Sequence, residues 1–309
     1  SEPVAINNYT PNNLPVKLTN MNIYNYNSVE PKVTSFEPYQ KGNRMKNLVI
    51  ALVQMESKVG KIDKNLFKIK KYIDTAALNQ VDIICFPELS VTGYSPENSQ
   101  EYAEMVPGYS SKILSQWAQD KQITLLAGIC EKNQSLNPYI TQVICMTDGN
   151  VFKYRKTHLA PHEVAFFSPG NDLPVFDIPQ VRFGIEICWE LHFPQITTFL
   201  SLQGAELVFC PYASARTPKD RQQSWHIFLP ARAYDNRIFI ASCNTIGQDF
   251  GGGLMVCDPE GHIVVEDHQG KESMIIANLD SSIIESIRNP NNQSLFQSYY
   301  PKFLRNELF

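Results

Sequence analysis

The run Gln180-Val-Arg-Phe-Gly-Ile-Glu-Ile-Cys-Trp-Glu-Leu-His-Phe-Pro-Gln195 decides how the rest of the chain is read. Val181, Phe183, Ile185 and Ile187 alternate with Arg182, Gly184 and Glu186. That is the period of a half-buried strand, because successive side chains point to opposite faces. The alternation stops at Cys188, and a helix-like segment begins at about Phe193. A cysteine at such a corner has its sulfur held by rigid backbone at the edge of a cleft. Helix N–H groups there help to stabilise a thiolate and any oxyanion beside it. A buried structural thiol is an equally ordinary use of the residue, so the strand alone leaves both readings open.

Strands and helices alternate on either side of this run. Before it, strands are expected at 48–53, 81–86, 123–129, 139–147, 151–155 and 175–178, and a helix at 110–121. Ile62, Leu66, Ile69, Ile73 and Ala76 recur at helical spacing, with Lys64, Lys68 and Lys71 on a solvated face. After it come helices at 193–202 and 220–236, strands at 206–210, 238–244, 253–258, 263–265 and 273–279, and a short helix at 281–287. No internal repeat or linker is legible. One α/β domain whose sheets are covered by helices fits this order. It runs from Met45 to 309, with an irregular aromatic tail from about 288. Residues 1–44, rich in Asn, Pro, Tyr and Ser, lack any period and read as an N-terminal extension or arm. A polar segment of this kind offers little apolar surface to offset its lost entropy. It is expected to lie along the domain or a neighbouring subunit through Tyr24, Tyr26, Phe36 and Tyr39.

Composition narrows the function classes. A hydrophobic content of 43% and a charged content of 19% are those of an ordinary globular protein. The net charge of −4, without a basic run, argues against nucleic acid as a partner. No apolar run approaches a membrane span and no signal pattern opens the chain. The seven cysteines have no paired spacing, and Cys85, Cys130, Cys145, Cys210, Cys243 and Cys257 mostly sit in or beside apolar strand-like runs. Core thiols in a reducing compartment, the cytoplasm by default, are expected.

Two further stretches carry chemistry. In Phe86-Pro-Glu-Leu-Ser-Val-Thr-Gly-Tyr94, Glu88 directly follows a buried strand, where α/β folds place functional groups. A carboxylate partly desolvated there has its pKa raised towards neutrality and can take and return protons. A loop glutamate making a cap or a surface ion pair is the alternative. In Phe152-Lys-Tyr-Arg-Lys-Thr-His-Leu-Ala-Pro-His-Glu163, read with the strand alternation, Lys156 falls on the apolar side with Phe152 and Tyr154. Burying an ammonium costs several kcal/mol unless an anion meets it, so Lys156 either finds carboxylates or snorkels to water.

These blocks together resemble the nitrilase superfamily of carbon–nitrogen hydrolases. Pro-Glu88, then Lys156-Thr-His-Leu with Glu163 and Phe-Ser-Pro-Gly170, then Gly-Ile-Glu-Ile-Cys188 follow that family's triad order. Phe193-Pro, Gly204-Ala-Glu-Leu-Val, Ala231-Arg-Ala-Tyr-Asp-Asn236, Asn244 with Gly247, and Asp258-Pro-Glu-Gly261 extend the resemblance over about 47–280. It implies an αββα sandwich that pairs through helices as αββα–αββα, in a homodimer or higher homo-oligomer. It also implies Glu88, Lys156 and Cys188 as the catalytic residues and Glu163, Trp189, Tyr94 and Ser214 as substrate contacts, with no metal and no cofactor. The implied substrate is a small-molecule amide or N-carbamoyl amine, cleaved through a thioester. Nitrile hydrolysis is the runner-up, since Cys188-Trp-Glu190 resembles the nitrile-hydrolysing branch whereas His192-Phe-Pro-Gln resembles the Arg-Phe-Pro-Glu run of amidases and carbamoylases. The Pro-Thr start and Trp-Gly finish of true nitrilases around Glu163 are absent, and Tyr299-Tyr-Pro301 replaces a family arginine pair. Rival readings are an acyltransferase with the same triad, a Cys188–His192 hydrolase, a metal site of His158, His162 and Glu163, and a catalytically silent interaction module.

Overall fold

The computed structural model describes residues 45–134 and 136–289. The expected arm with Tyr24, Tyr26, Phe36 and Tyr39, and the tail with Tyr299-Tyr-Pro301, lie outside the described residues. The first half runs β1 (Leu48–Gln54), α1 (Ile62–Leu78), β2 (Ile83–Cys85), α2 (Ser99–Tyr102), α3 (Tyr109–Lys121), β3 (Thr124–Glu131), β4 (Tyr139–Cys145) and β5 (Val151–Arg155). The second runs β6 (Phe176–Asp177), β7 (Arg182–Ile185), α4 (Pro194–Leu202), β8 (Leu207–Tyr212), α5 (Pro218–Asn236), β9 (Phe239–Asn244), β10 (Leu254–Cys257), β11 (Ile263–Asp267), β12 (Ser273–Leu279) and α6 (Ser281–Arg288).

Two six-stranded sheets result, ordered β12-β1-β2-β3-β4-β5 and β11-β10-β9-β8-β7-β6. In each, three neighbouring strands are parallel (β1, β2, β3 and β7, β8, β9) and the flanking strands are antiparallel. The halves thus repeat one topology with no repeat legible in the sequence, because each position asks only for buried apolar residues. Helical crossovers join the parallel strands, as such connections require. Leu52, Leu126 and Ile144 of the first sheet pack in one core with Phe183, Phe209 and Val256 of the second. The outer face of the first sheet packs against α1 and α3, through Leu66, Ile73 and Leu114. That of the second packs against α4 and α5, through Leu200, Trp225 and Leu229. These contacts stack four layers, helix–sheet–sheet–helix, so the expected αββα sandwich is the fold.

The helix at 62–78 buries Leu66, Ile69, Ile73 and Ala76, the stripe its spacing indicated. The deciding strand differs from its reading. Residues 183–187 are all buried, so β7 is covered on both faces rather than half-buried. Gly184 faces α4 at such close range that a Cβ there would stand 2.9 Å from Leu200 Cδ1. The small and polar residues of the alternation therefore mark a helix-covered face, as in parallel sheets wrapped on both sides. Cys188 opens a 3-10 turn (Cys188–His192), and α4 begins at Pro194, one residue after the expected start. Among the described residues, no helix is long and apolar enough to cross a membrane.

Candidate active site

Parallel strands of a doubly covered sheet deliver their C-terminal ends to one edge, where loops are free to carry chemistry. Here the edges of both sheets converge. Glu88 follows β2 on a loop pinned to β3, with Val91 N donating to Gly128 O at 2.9 Å and Gly128 N to Ser90 Oγ at 3.0 Å. Gly128 is required by that approach, since a Cβ there would lie 2.1 Å from the Leu89 nitrogen. The loop turns inward at Leu89, φ +50°. Glu88 is 1% exposed. Its Oε1 accepts from Lys156 Nζ at 2.8 Å, and its Oε2 accepts the Ala213 N–H at 2.8 Å from the end of β8.

Lys156 is fully buried just past β5. Its Nζ lies between Glu88 Oε1 (2.8 Å) and Glu163 Oε1 (2.9 Å). The alternation that singled it out is real: on the opposite face, Lys153 and Arg155 both reach Glu131. Phe152, grouped with the buried side, is exposed at the sheet margin and packs against Phe176. Glu163 also accepts the Tyr94 hydroxyl at 2.7 Å and the Ala160 N–H at 2.7 Å. The Tyr94 oxygen is 2.8 Å from His162 Nε2.

Burial pushes the Glu88 carboxyl up to about 7, against the downward pull of Lys156, and Glu163 adds to the rise. Burial alone would lower the Lys156 ammonium, but the charges of Glu88, Cys188 and Glu163 outweigh it and hold the group protonated. Burial and the Glu88 charge raise the Cys188 thiol, while Lys156 and Arg221 pull it down. The thiol therefore lies within electrostatic reach of Glu88, Lys156, Glu163 and Arg221. It is partly exposed, whereas the other six cysteines are buried, and all seven are free.

Cys188 takes φ +51°, a left-handed conformation that costs a non-glycine residue about 1–2 kcal/mol. Glu190 holds the turn that carries it. This buried carboxylate accepts the Ile187 N–H at 2.6 Å on Oε2. On Oε1 it accepts the Tyr154 hydroxyl at 2.6 Å, the Thr157 N–H at 2.7 Å and the Thr157 hydroxyl at 2.6 Å. Tyr154 and Thr157 bracket Lys156, so Glu190 ties the cysteine turn to the lysine strand. Sequence reasoning used Glu190 only as a branch marker. A carboxylate set between Trp189 and Leu191, three residues after Ile187, was the available signal.

Of the expected substrate contacts, Glu163 and Tyr94 join the lysine cluster. Ser214 adjoins Ala213, with its N–H donated to Asn244 Oδ1 at 3.0 Å and its carbonyl accepting from Asn244 Nδ2 at 3.2 Å. Trp189 turns its ring onto His192, centroids 4.7 Å apart. His192 also meets Phe228 and makes no hydrogen bond to Cys188, so a Cys188–His192 pair is not formed. His158 Nδ1 is directed at Thr157 and His162 at Tyr94. With Glu163 these histidines do not converge. The one His/Asp/Glu group among the described residues that does, Asp258, Glu260 and His262, lies in the turn before β11. There Asp258 Oδ1 already accepts the N–H groups of Glu260 and His262.

A family model described as carbon–nitrogen hydrolase matches residues 49–289. A nitrilase of Pyrococcus abyssi is 27% identical over 257 residues, 80% of this chain and 95% of the relative. An omega-amidase of Xenopus laevis is 30% identical over 254 residues, 77% of this chain and 91% of the relative. An amidase variant from Nesterenkonia sp. AN1, showing covalent addition of the acetamide moiety of fluoroacetamide at its active site cysteine, superposes with a TM-score of 0.73. It is 26% identical, over 84% of this chain and 95% of that one.

Proposed function

The chain belongs to the carbon–nitrogen hydrolase family, and on that premise we propose that Cys188 is the nucleophile of an amidase acting on a small molecule through a thioester. Glu88 takes the thiol proton as sulfur attacks the amide carbon. The oxygen charge that develops meets the Lys156 ammonium and the Trp189 N–H, and losing one such donor typically costs about 2.7–4 kcal/mol of barrier. Glu88 then gives its proton to the nitrogen, the C–N bond breaks and ammonia leaves. Water attacks the thioester, Glu88 accepts one of its protons, and the acid departs as the thiol is restored.

One observation carries this reading: a fully buried ammonium held at 2.8 and 2.9 Å by two carboxylates, within electrostatic reach of a partly exposed thiol on a left-handed turn. A purely structural lysine needs neither the second carboxylate nor the thiol. A carboxyl poised near 7 suits a group that must both take and return a proton. The covalent adduct at the cysteine of the Nesterenkonia amidase is consistent with the same role for Cys188. Glu163 and Tyr94 steady Lys156, and Ser214 lines the substrate side.

Nitrile hydrolysis is the second reading, favoured by Cys188-Trp-Glu190 and by the Pyrococcus relative. The test is ammonia release, with and without carbon dioxide, across amides, N-carbamoyl amines and nitriles, together with mass-spectrometric capture of an acyl-Cys188. Turnover of nitriles alone replaces the amide reading. Product formed only when an amine acceptor is supplied makes the enzyme an acyltransferase. Full turnover by Cys188→Ala removes the mechanism. Assembly as a helix-paired dimer belongs to the same proposal, and sedimentation of the full chain measures it.

A further inference from the structure

A phenol has one proton to give. The Tyr94 oxygen stands between two neighbours, 2.7 Å from Glu163 Oε1 and 2.8 Å from His162 Nε2. Glu163 can only accept there, since the Lys156 ammonium donates to the same Oε1 at 2.9 Å and the Ala160 N–H donates to Oε2 at 2.7 Å. The Tyr94 proton therefore belongs to Glu163. Burial and the charges of Glu88 and Glu163 raise the phenol well above its ordinary value, which keeps that proton in place. What is left to the Tyr94 oxygen is to accept, so His162 is the donor and carries a proton on Nε2.

His162 is exposed, whereas Glu163, Lys156 and Glu88 are buried. Donation thus runs inward from the surface, from His162 to Tyr94 and from Tyr94 to the oxygen that also holds Lys156. Hydrogen bonds in series polarise one another, so a donor behind Tyr94 strengthens what Tyr94 gives to Glu163. Lys156 Nζ is balanced between Glu88 Oε1 at 2.8 Å and Glu163 Oε1 at 2.9 Å. Charge withdrawn from Glu163 by Tyr94 lets the ammonium lean towards Glu88.

The arrangement recurs on the other side of Lys156. The Thr157 hydroxyl gives its one proton to Glu190 at 2.6 Å, so His158 Nδ1, 2.8 Å from that oxygen, is again the donor. Only the His162 chain ends on a carboxylate that grips the lysine.

We propose that His162 is a positioning residue: its Nε2–H commits the Tyr94 proton to Glu163 and so sets where the Lys156 ammonium stands. That this setting serves amide hydrolysis rests on the reading of Lys156 as partner of the developing oxygen charge, and the direction of the hydrogen bonds does not.

The test compares kcat and KM, for the amide that the wild type hydrolyses fastest, in wild type, His162→Gln and His162→Leu. The glutamine amide nitrogen replaces Nε2 as a donor, and leucine has none. His162→Leu is expected to lose about 10-fold in kcat, the rate equivalent of one hydrogen bond, with KM little changed, and His162→Gln to recover most of the loss. In a Tyr94→Phe background no hydroxyl is left to fix, so His162→Leu should cost nothing further. An unchanged kcat, a loss confined to KM, no recovery in His162→Gln, or the same loss in the Tyr94→Phe background overturns the proposal. Nitrogen NMR reads the arrangement without turnover. The neutral His162 imidazole is expected to carry its proton on Nε2, and the Lys156 ammonium resonance to move in His162→Leu and to stay in His162→Gln. Should both hold with no amide hydrolysed, only the amidase reading falls. A proton on Nδ1, or a Lys156 resonance indifferent to His162→Leu, overturns the proposal even where amides are turned over.

Discussion

Glu190 folds back onto Ile187, its Oε2 accepting the Ile187 N–H at 2.6 Å while the Ile187 carbonyl accepts the Glu190 N–H at 3.2 Å. The reciprocal pair closes a small ring around Cys188 and holds its strained backbone. Outliers of this kind persist only where the surroundings over-determine them, and the other Glu190 oxygen supplies the remainder by gripping Tyr154 and Thr157. Glu190→Ala strands several buried donors and is expected to cost on the order of 3 kcal/mol in urea denaturation. It also releases the cysteine turn and lowers kcat. A variant with wild-type stability would show that the ring does not hold the turn.

Cys188→Ala keeps every hydrogen bond made by Glu190, so fold and melting temperature are expected to stay close to wild type while ammonia release stops. Incubation with fluoroacetamide followed by mass spectrometry should add one acetamide moiety to wild type and none to the variant. Labelling of Cys188→Ala would point to a different thiol.

The pH profile follows from Glu88. In the proposed mechanism the carboxyl must be ionised to take the thiol proton, and burial has moved its pKa up to about 7. Then kcat/KM falls as pH drops through about 7, an apparent value that belongs to the coupled Glu88, Lys156 and Cys188 cluster. Rates measured from pH 5 to 9 test it. An acid limb near 4.5, the ordinary glutamate value, would mean that the base is not desolvated.

Glu163→Gln leaves Lys156 with one carboxylate and alters the acceptor of the Tyr94 hydroxyl. Small displacement of a positioned group costs about 100-fold in rate, and a fall of that order in kcat is expected, with stability less affected. Steady-state kinetics beside a thermal melt separate the two effects.

Glu186 offers a stability test away from the chemistry. Burial raises its carboxyl from 4.5 to about 8, with the Glu190 charge adding to the rise and Thr197 and Arg232 opposing it. The folded state therefore favours the protonated form. Its contribution is fully present below about 4.5 and is lost as pH rises through about 8, each unit of difference being worth roughly 1.4 kcal/mol at most. Glu186→Gln cannot ionise, so it should lose less stability than wild type between pH 5 and pH 9 in chemical denaturation. Parallel losses would place the titration elsewhere.

Which of these features the sequence disclosed depended on period and contrast. Lys156 stood out because an ammonium on the apolar side of a strand demands an explanation, and two carboxylates supply it. The stripe of α1 was legible for the same reason. Glu186 and Gly184 misled, because a small residue and a protonatable carboxylate mimic a solvent face when a helix in fact covers them. Glu190 was passed over because, apart from Ile187, its partners lie 32 to 36 positions away, and its place between Trp189 and Leu191 was read only as a branch marker. The matching halves stayed hidden because topology repeats without requiring the same letters.

Glu88 and Lys156 come from one sheet, Cys188 and the Ala213 amide from the other, and the 2.8 Å contact between Glu88 and Ala213 bridges them. Neither half alone holds the proposed reaction centre. Turnover is consequently a gauge of how faithfully the halves stay docked: a slip along their seam silences the enzyme before either sheet has come apart, and activity on warming is expected to fade ahead of the loss of strand signal.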